Sequence, residues 1–472
     1  MFIHDATFWF CVAFLLGVFL ISTFNSFLFI FLIASLLAVY FIFYKKYYFA
    51  IFALLLILGA SYFQSFYFIR QRLVNLPVLS HVEGSSEGKF YGIVTDTEKS
   101  ATKQNLIVEL EKPYSGKIKI MARRYPEFIY GDLIGISGVI KKPAETSVNY
   151  YLKEGISGTM EFPALDLKES GQGNSVKAFL LDFKNKIVQG FKRLLPAQKA
   201  ALLSGLTLGE REEFSKDFTE KMSLSGTTHL VALSGYNISI IALAIGGILG
   251  LFFSGSVSFY LTVLAIILFT MMTGAEASII RAAIMGIIAL LAKETQRLSS
   301  VRNAIVISAF LMVIFNPRVL VFDLGFQLSF AALLGIIYLP PIFNKIFRIQ
   351  DKGFLKWKEN LITTISAQLA VTPLILGSFG VFSLTSFLAN VLILAAVPVT
   401  MGLGFLMAGL AFFSDFLAGI VGFAVNALLS YEIFIIDLFS KISVPFAVEG
   451  FGFPAALIYY LILIGFIYKF KD

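Results

Sequence analysis

Apolar residues fall into long runs along this chain, separated by short polar segments and by one stretch of different character. Residues 6–22, 27–43 and 48–67 are almost wholly apolar, which predicts membrane helices within residues 1–70. Further apolar runs follow at 198–208, 229–253, 257–273, 275–292, 301–316, 325–341, 361–380, 382–414 and 452–468. Residues 198–472 are therefore predicted to form a membrane core of about eight helices.

The lengths and charges of three later segments bear on this assignment. The run at 198–208 is too short to cross a bilayer, whereas 382–414 is long enough for two passes with a break at Pro398 or at Gly402-x-Gly404. Residues 417–442 mix apolar positions with charged ones at helical spacing, namely Glu432, Asp437 and Lys441. Because charge is costly in hydrocarbon, this segment is predicted to be an interfacial or re-entrant helix.

Residues 71–170 follow a different pattern, in which short strand-like runs alternate with turn residues. The runs are 89–95, 105–110, 117–121 and 134–140, bounded by turn residues such as Pro113, Gly116, Gly131 and Pro143. About five short strands in about 100 residues favour a small β-barrel of the OB-fold type. The predicted fold class is an α-helical polytopic membrane protein with an inserted, OB-fold-like β-barrel domain.

Residues 171–197 connect this domain to the membrane core. Residues 171–175 have the composition of a linker, and apolar positions from Val176 to Leu194 then recur at helical spacing. The opposite face is basic and carries Lys177, Lys184, Lys186, Lys192 and Arg193. A helix of this kind favours the membrane surface, where it acts as a functional element or only as an anchor.

Composition and charge sharpen this picture. The chain has 472 residues, of which 57% are hydrophobic and 14% charged, and a mean hydropathy of +0.82, all of which indicate a multi-pass membrane protein. Its single cysteine, Cys11, excludes an intrachain disulfide and a cysteine-rich metal site. Basic residues gather in short loops, including Lys45-Lys46, 293–302 and 345–358. The positive-inside rule puts these loops and both termini in the cytoplasm, and the OB-like domain outside the cytoplasmic membrane.

Polar side chains within the apolar core first gather at residues 226–237, which include one of the three histidines in the chain. Others stand farther along, where hydrocarbon penalises them. The candidates for a pore or binding path are His229, Ser234, Asn237, Arg281, Gln327 and Gln368. Arg281 requires a polar interior or a carboxylate, and Glu276 and Asp323 are its candidate ion-pair partners. The alternative is structural, with interhelical hydrogen bonds for the amides and a buried ion pair for Arg281.

The sequence contains no H-E-x-x-H motif and no P-loop, and residues 232–236 around Ser234 lack the flanking glycines of a G-x-S-x-G elbow. His4 and His81 lie far from His229 in sequence, and three histidines make a metal site improbable. We therefore predict no enzymatic activity, no metal and no cofactor. A membrane-embedded hydrolase that uses Ser234 and His229 is one alternative, and a small-molecule or lipid transporter is another.

The inserted domain carries basic and aromatic residues suited to nucleic acid. Over residues 81–170 there are 12 Lys and Arg against 13 Asp and Glu, so the net charge of −1 does not favour strong binding to phosphates. Local clusters exist, however, and aromatic side chains can stack on bases. The candidates for DNA contact are Lys117, Lys119, Arg123, Arg124, Lys141, Lys142, Tyr125 and Tyr130. The alternative for each is a barrel core with solvated charges around it.

Five short motifs, taken together, resemble the ComEC family of competence DNA-uptake channels. The most specific is Ser-Gly-Thr-Thr-His-Leu-Val-Ala-Leu-Ser-Gly-Tyr-Asn at 225–237. The others are Leu-Ser-Gly-Leu-Thr-Leu-Gly-Glu-Arg at 203–211, Ser-Ile-Ile-Arg-Ala-Ala at 278–283 with Gln296-Arg297, Asn316-Pro317, and Gly-Phe-Gln-Leu-Ser-Phe at 325–330. Their order and spacing agree with the family, and so does the arrangement of N-terminal helices and inserted barrel.

The resemblance implies a channel that passes single-stranded DNA across the cytoplasmic membrane in natural transformation, with the OB-like domain handling incoming DNA. Membrane lipids and an external DNA-receptor protein are further expected partners. Because the sequence has no nucleotide-binding motif, the driving force is expected from a cytoplasmic motor or from the proton gradient, and a homo-oligomer is a candidate assembly. Many family members continue into a metallo-β-lactamase-like domain, whereas this sequence stops at Asp472 without a histidine-rich motif. We therefore expect a short form that depends on a separate nuclease, or a remnant without transformation activity.

Overall fold

The computed structural model describes residues 3–24, 26–45, 47–72, 74, 76, 88–100, 102–144, 148–210, 214–231, 235–295, 300–347, 357–383, 385–443, 445–448 and 450–470. The chain forms two compact units. The first unit contains residues 1–182, 253–272 and 283–323. The second unit contains residues 183–252, 273–282 and 324–472.

Helices dominate the described residues. In chain order they are α1 Ile3–Phe24, α2 Phe27–Phe43, α3 Tyr47–Arg72, α4 Val148–Glu154, α5 Ser175–Leu194, α6 Ala197–Leu208, α7 Lys216–Leu224, α8 Gly235–Phe252, α9 Gly255–Met272, α10 Ala277–Glu294, α11 Val301–Phe315, α12 Val319–Phe322, α13 Leu324–Phe347, α14 Trp357–Phe379, α15 Ser386–Ala411, α16 Asp415–Lys441 and α17 Phe453–Phe470. The strands are β1 Gly88–Lys99, β2 Lys103–Leu110, β3 Lys117–Arg123, β4 Leu133–Gly138, β5 Ile156–Glu161, β6 Ala164–Glu169, β7 Val381–Ser383 and β8 Pro445–Ala447.

Among the described residues, seven helices are long and apolar enough to cross a membrane, namely α1, α3, α9, α13, α14, α15 and α16. Shorter apolar helices are α2, α8, α11 and α17. Large apolar side chains on these helices are exposed, for example Leu251 and Phe423 at 80% and 79%. Such surfaces require lipid rather than water around them, which fits a multi-pass membrane protein.

Two helices differ from their predicted form. Residues 382–414 do not make two passes, because α15 continues without a break through Pro398. A proline removes one backbone hydrogen bond, which a helix packed against neighbours tolerates in an apolar environment. Residues 415–441 form the continuous 27-residue helix α16, which is long enough to span a bilayer, and its Glu432 is buried. Its length and composition make α16 a candidate membrane span, whereas the sequence predicted an interfacial or re-entrant helix.

In the first unit, α1 and α3 cross at two glycines. A Cβ at Gly17 would overlap the backbone of Leu56, and a Cβ at Gly59 would overlap the backbone of Phe14. The absence of side chains at both positions lets the two helices pack at close range, as small residues do in membrane bundles. The Tyr62 hydroxyl donates a hydrogen bond to the Ile314 carbonyl and ties α3 to α11.

The sheet of the first unit follows the predicted strands but is not a closed barrel. Its order is β5-β3-β2-β1-β4-β6, with β3 and β5 parallel and the other pairs antiparallel. A closed barrel would require β4 to pair with β5, but that edge of β4 pairs with β6 instead. An isolated bridge between Lys141 and Thr159 links the chain after β4 to β5. An OB-type barrel is thus not confirmed. Ile118, Ile120 and Ala122 of β3 point into the core and alternate with outward residues, because successive side chains of a strand point to opposite faces.

In the second unit, α6 packs against α15 and α16, and α13 packs against α14. Gly335 of α13 faces the backbone of Ser366 on α14, so that an added Cβ would collide with it. Gly404 of α15 likewise accommodates the side chain of Leu203 on α6. The predicted amphipathic helix is confirmed as α5, where Ile187, Val188 and Phe191 of the second unit are buried. The short run at 198–208 forms α6, which is only 12 residues long.

Candidate nucleic-acid interface

The outward face of β3 carries three of the predicted DNA-contact residues. Lys117, Lys119 and Arg123 alternate with the buried residues of the strand and point away from the core. Pairing with β2 sets Lys117 beside Glu109 and Arg123 beside Lys103. The basic character is therefore concentrated toward the Arg123 end of the strand, while Glu109 offsets Lys117. Lys119 also lies over the ring of Tyr151, 5.6 Å from its centroid.

A buried glutamine that sequence reasoning missed fixes the loop after β3. The Nε2 of Gln104, which is 1% exposed, donates to the carbonyl oxygens of Arg123 and Pro126 at 2.8 and 2.6 Å. Its Oε1 accepts from the amide of Phe128 at 3.2 Å. The amide thus satisfies three backbone groups of this loop, which holds Tyr125 exposed at 73% of its surface.

The remaining predicted DNA-contact residues of the first unit differ in how far other side chains already engage them. Arg124 pairs with Glu127 at 3.0 Å, and a hydrogen bond from Lys99 lowers the pKa of the Glu127 carboxyl. Tyr130 is less free than predicted: Lys177 lies over its ring at 4.6 Å, and its hydroxyl accepts from the amide of Asn174. The exposed pair Lys141 and Lys142 stays open to solvent, and Lys141 comes only within 4.0 Å of a carboxylate, that of Glu161.

In the second unit, the motif at 226–237 begins with a tight turn against α15. Gly226 has a φ of +69°, and an added Cβ would lie only 2.3 Å from the Cβ of Ser386 at the start of α15. Two features therefore require glycine at position 226: the positive φ, and the close approach of the turn to Ser386. The hydroxyls of the fully buried residues Ser225 and Thr227 lie 2.8 Å apart and fasten the turn.

Two further residues of the motif have defined surroundings. Asn237 is buried and donates through Nδ2 to the carbonyl of Leu206 at 2.8 Å, which joins α8 to the end of α6. His229 is exposed in a short 3-10 turn, Thr228–Leu230. Surrounding protein nevertheless desolvates its ring and lowers the imidazole pKa, although a hydrogen bond with the Gly226 backbone acts in the opposite direction. The ring is therefore neutral at pH 7. Ser234 lies outside the described residues.

Arg281 brings together three of the motifs. Its Cζ lies 5.8 Å from the centroid of Phe330, a residue of the 325–330 motif, and a Cβ on Gly235 would be 3.8 Å from its Nη2. Within the described part of the chain, no carboxylate pairs with Arg281, and its Nε lacks a hydrogen-bond partner. A guanidinium so placed is available to an anionic ligand, with an aromatic face beside it.

The two carboxylates predicted as partners of Arg281 have other surroundings. Asp323 belongs to the first unit and binds Lys153 instead, with Nζ and Oδ2 at 2.8 Å. Glu276 is exposed just before α10, where its backbone carbonyl accepts from the amide of Ile280. A carboxylate at this end of a helix is favoured by the helix dipole, so Glu276 has a local structural role.

The predicted glutamines both lie in the second unit. Gln368 of α14 donates through Nε2 to the hydroxyl of Ser386 at 3.2 Å, so it stands beside the Gly226 turn, and its Oε1 has no hydrogen-bond partner among the described residues. Gln327 is half-buried in the first turn of α13, three residues before Phe330. Gln368 therefore lies next to the Gly226 turn, and Gln327 lies on the same helix as Phe330.

Two polar contacts in this unit escaped sequence reasoning because their partners are distant in sequence. Lys199 of α6 donates to the side chains of Asn426 and Ser430 on α16, at 2.7 and 2.6 Å. Glu432 of the same helix accepts from the hydroxyl of Thr400 on α15 at 2.6 Å. Lys199 thus donates its hydrogen bonds to neutral side chains.

Comparisons with known proteins agree with the position of these motifs. The Competence protein family model matches residues 206–471. The ComE operon protein 3 of Bacillus subtilis (strain 168) is 27% identical over 234 residues, which is 49% of this chain and 29% of the length of that relative. No solved structure matches the chain. The family match covers more than half of the sequence and contains the Gly226 turn, Arg281 and Phe330. The chain therefore belongs to the Competence protein family.

Proposed function

We propose that this protein is a channel that passes single-stranded DNA across the cytoplasmic membrane during natural transformation. The observation that carries the proposal is the family match over residues 206–471, within which separate motifs meet at an arginine without a carboxylate partner among the described residues. The similarity to a protein of a competence operon supports the same role.

The chemistry at Arg281 suits a polyanion. A pore for DNA needs positive or neutral hydrogen-bonding walls, because rings of negative charge repel phosphates. Arg281 offers a guanidinium that binds phosphate oxygens, and Phe330 offers a ring on which a base or the guanidinium itself stacks. His229, Ser234, Asn237, Gln327 and Gln368 complete the proposed path as neutral hydrogen-bonding groups. No metal, cofactor or catalytic step is needed for this role.

The sheet of the first unit is proposed to receive DNA outside the membrane. Its strand order, with parallel β3 and β5, supports an OB-type barrel that stays partly open. Arg123 and Tyr125 are exposed next to each other at the end of β3 and offer one phosphate contact and one stacking surface. The net charge of −1 over residues 81–170 means that such contacts are local rather than general.

Orientation and partners belong to the same proposal. Basic loops put both termini in the cytoplasm and the sheet outside it, and α5 lies along the membrane surface with Lys186, Lys192 and Arg193 exposed. The sequence has no nucleotide-binding motif, so the energy comes from a cytoplasmic motor or from the proton gradient. A receptor outside the cell membrane and a separate nuclease would prepare the single strand.

Uptake of fluorescent DNA by a transformable strain that carries variants of this chain tests the proposal. Arg281→Ala is expected to lower uptake at least tenfold, because a charge-assisted hydrogen bond contributes about 1.5–3 kcal/mol. Arg281→Lys is expected to retain part of it, since the charge stays while the planar contact is lost. Arg193→Ala is the matched control: Arg193 lies in the same unit but is exposed and pairs with Asp415 at 3.3 Å.

Membrane levels of each variant must equal those of the unaltered protein for the comparison to count. Equal uptake by the Arg281→Ala and Arg193→Ala proteins would remove Arg281 from the path. Normal uptake in a strain that lacks the protein would overturn the proposed function as a whole.

A further inference from the structure

A carboxyl group is buried between α15 and α16. Glu432 of α16 is 1% exposed, and its Oε1 lies 2.6 Å from the hydroxyl of Thr400, which is itself fully buried on α15. Both residues lie in helices long enough to cross a membrane. An ionised carboxylate at such a position is costly unless a cation or several donors surround it.

The hydroxyl of Thr400 has two oxygen neighbours but only one proton to donate. Besides Glu432, it lies 3.2 Å from the carbonyl oxygen of Ala396, one turn earlier in α15. If Glu432 is ionised, both neighbours are acceptors and only one receives the proton. If Glu432 is protonated, it donates to the Thr400 oxygen and Thr400 donates to Ala396. The protonated form thus satisfies both contacts.

Lys199 and Lys221, on helices packed against α16, are engaged by residues other than Glu432. α15 contains no ionisable residue, and Lys199 of α6 donates to Asn426 and Ser430. On α7, Lys221 pairs with Asp217 at 2.9 Å and with Asp437 of α16 at 3.2 Å. The remaining ionisable residues of α7 and α16 are Lys216, Glu220, Asp415, Tyr431 and Lys441. Among the described residues, no cation forms an ion pair with Glu432.

We propose that Glu432 is a proton-binding site of the second unit, held as a neutral carboxylic acid by Thr400 and able to release its proton to the transport path. The step is a proton transfer only: the O–H bond of the acid breaks, and the proton passes to a water or buffer base. The ionised carboxylate then lacks a cation between α15 and α16, which favours separation of the two helices. In this way protonation controls helix packing.

Infrared spectroscopy of the full chain in lipid nanodiscs tests the protonation directly. At pH 7, a neutral carboxylic acid gives a C=O stretching band distinct from that of carboxylates, and D2O shifts it to lower frequency. The band is expected in the unaltered protein, absent in Glu432→Gln, and unchanged in Asp437→Asn, which alters an ion-paired carboxylate on the same helix. Raising the pH is expected to remove it reversibly. Absence of any band lost in Glu432→Gln would overturn the proposal.

If the Glu432→Gln protein does not fold, the infrared spectrum of Thr400→Val provides a second test. Loss of the hydroxyl removes the hydrogen bond to the acid, so its C=O band is expected to shift to higher frequency at constant amplitude. A spectrum of Thr400→Val identical to that of the unaltered protein would mean that Glu432 is not the neutral partner of Thr400, and would contradict the proposal.

The connection of the Glu432 proton to transport rests on the proposed function, and a separate measurement tests it. DNA uptake by the unaltered protein is expected to change with an imposed pH gradient, while uptake by Glu432→Gln is expected not to. The same gradient dependence in both proteins would contradict a role for this proton in transport. Absence of DNA uptake even by the unaltered protein would count against the channel function and leave the infrared result intact.

Discussion

The ammonium group of Lys153 lies 2.8 Å from the carboxylate of Asp323 and joins the inserted domain to the end of α12. The two side chains are 10% and 13% exposed, so the pair is largely shielded from water. A second contact supports it, because Asn316 donates through Nδ2 to the backbone carbonyl of Lys153 at 2.9 Å. The Asn316-Pro317 motif and Asp323 therefore hold α4 of the inserted domain against residues 316–323 of the same unit.

Removal of the Lys153 ammonium is expected to destabilise this attachment. Lys153→Met leaves Asp323 partly buried without its cation, which costs about 2 kcal/mol because hydrogen bonds to charged groups contribute about 1.5–3 kcal/mol. Thermal unfolding and limited proteolysis of the purified protein measure the effect. Lys168→Met is the control, since Lys168 pairs with Asp166 on the exposed surface. Equal stability of the two variants would refute the role of the Lys153 pair.

The same pair predicts a pH dependence. Burial disfavours the charged form of Lys153, but hydrogen bonds from it to Asp323 and Glu154 outweigh burial and raise its pKa. Because the folded state binds the proton more tightly, the contribution to stability is complete below the unfolded pKa of about 10.4 and is lost as the pH rises through the folded pKa. The gap in unfolding temperature between the unaltered protein and Lys153→Met should be equal at neutral and mildly alkaline pH, and should shrink above about pH 10.4.

His229 predicts the opposite behaviour, at acidic pH. Desolvation lowers its pKa, so the unfolded chain binds a proton more readily than the folded protein. Stability is therefore lost as the pH falls below about 6.5, the ordinary pKa of histidine, until the folded pKa is passed. His229→Gln retains a neutral hydrogen-bonding group and is expected to lose less stability on acidification than the unaltered protein. Parallel pH profiles of the two proteins would show that His229 does not titrate differently on folding.

Much of the helix layout could be predicted from the sequence, because length and hydropathy are local properties. Strands β1 to β4 were predictable for the same reason, since each alternates buried and outward residues. β5 and β6 were both missed; the residues of β6 are mostly exposed and lack that alternation, whereas β5 has it in a run of only six residues. The Lys153–Asp323 pair joins residues 170 positions apart, and no local pattern contains that information.

The motifs present a similar contrast. Their residue types indicated a polar site, and three of them do meet, at Gly235, Arg281 and Phe330. The sequence could not predict which carboxylate belongs to which cation, because that depends on the packing of distant helices. Arg281 was expected to pair with an acid, yet Asp323 pairs with a lysine of the inserted domain. For the same reason, the contact between Glu432 and Thr400 could be found only in the folded chain.

Neighbouring arginines at the end of β3 provide a test of phosphate binding. Arg123 is exposed, whereas Arg124 already pairs with Glu127 at 3.0 Å. In a plot of log affinity for single-stranded DNA against log salt concentration, each phosphate contact contributes about −0.7 to the slope. Arg123→Ala is expected to flatten the slope by about 0.7, and Arg124→Ala by less. Fluorescence anisotropy with the full chain in nanodiscs measures both, and identical slopes in all three proteins would argue against phosphate contacts here.

Two tyrosines near the same strand separate stacking from structural roles. Tyr125 is 73% exposed, while the ring of Tyr130 is covered by Lys177. Stacking on one base contributes about 1–3 kcal/mol, so Tyr125→Ala is expected to weaken binding of single-stranded DNA about tenfold or more without loss of stability. Tyr130→Phe removes only the hydroxyl that holds Asn174, so it should lower stability and leave affinity nearly unchanged. The reverse outcome would move the DNA-binding surface away from Tyr125.

A pair of glycines tests the turn that begins the 226–237 motif. Gly226 and Gly274 both have positive φ, at +69° and +89°, so alanine at either position costs about 1–2 kcal/mol in backbone strain. They differ in their surroundings: a Cβ on Gly226 would lie 2.3 Å from that of Ser386, whereas nothing lies within 4 Å of one on Gly274. Gly226→Ala must therefore push the turn away from α15 and disturb the contact between Ser386 and Gln368. DNA uptake is expected to fall much further in Gly226→Ala than in Gly274→Ala at matched membrane levels. Similar losses in both would attribute the effect to strain alone and would deny the turn a specific role in the path.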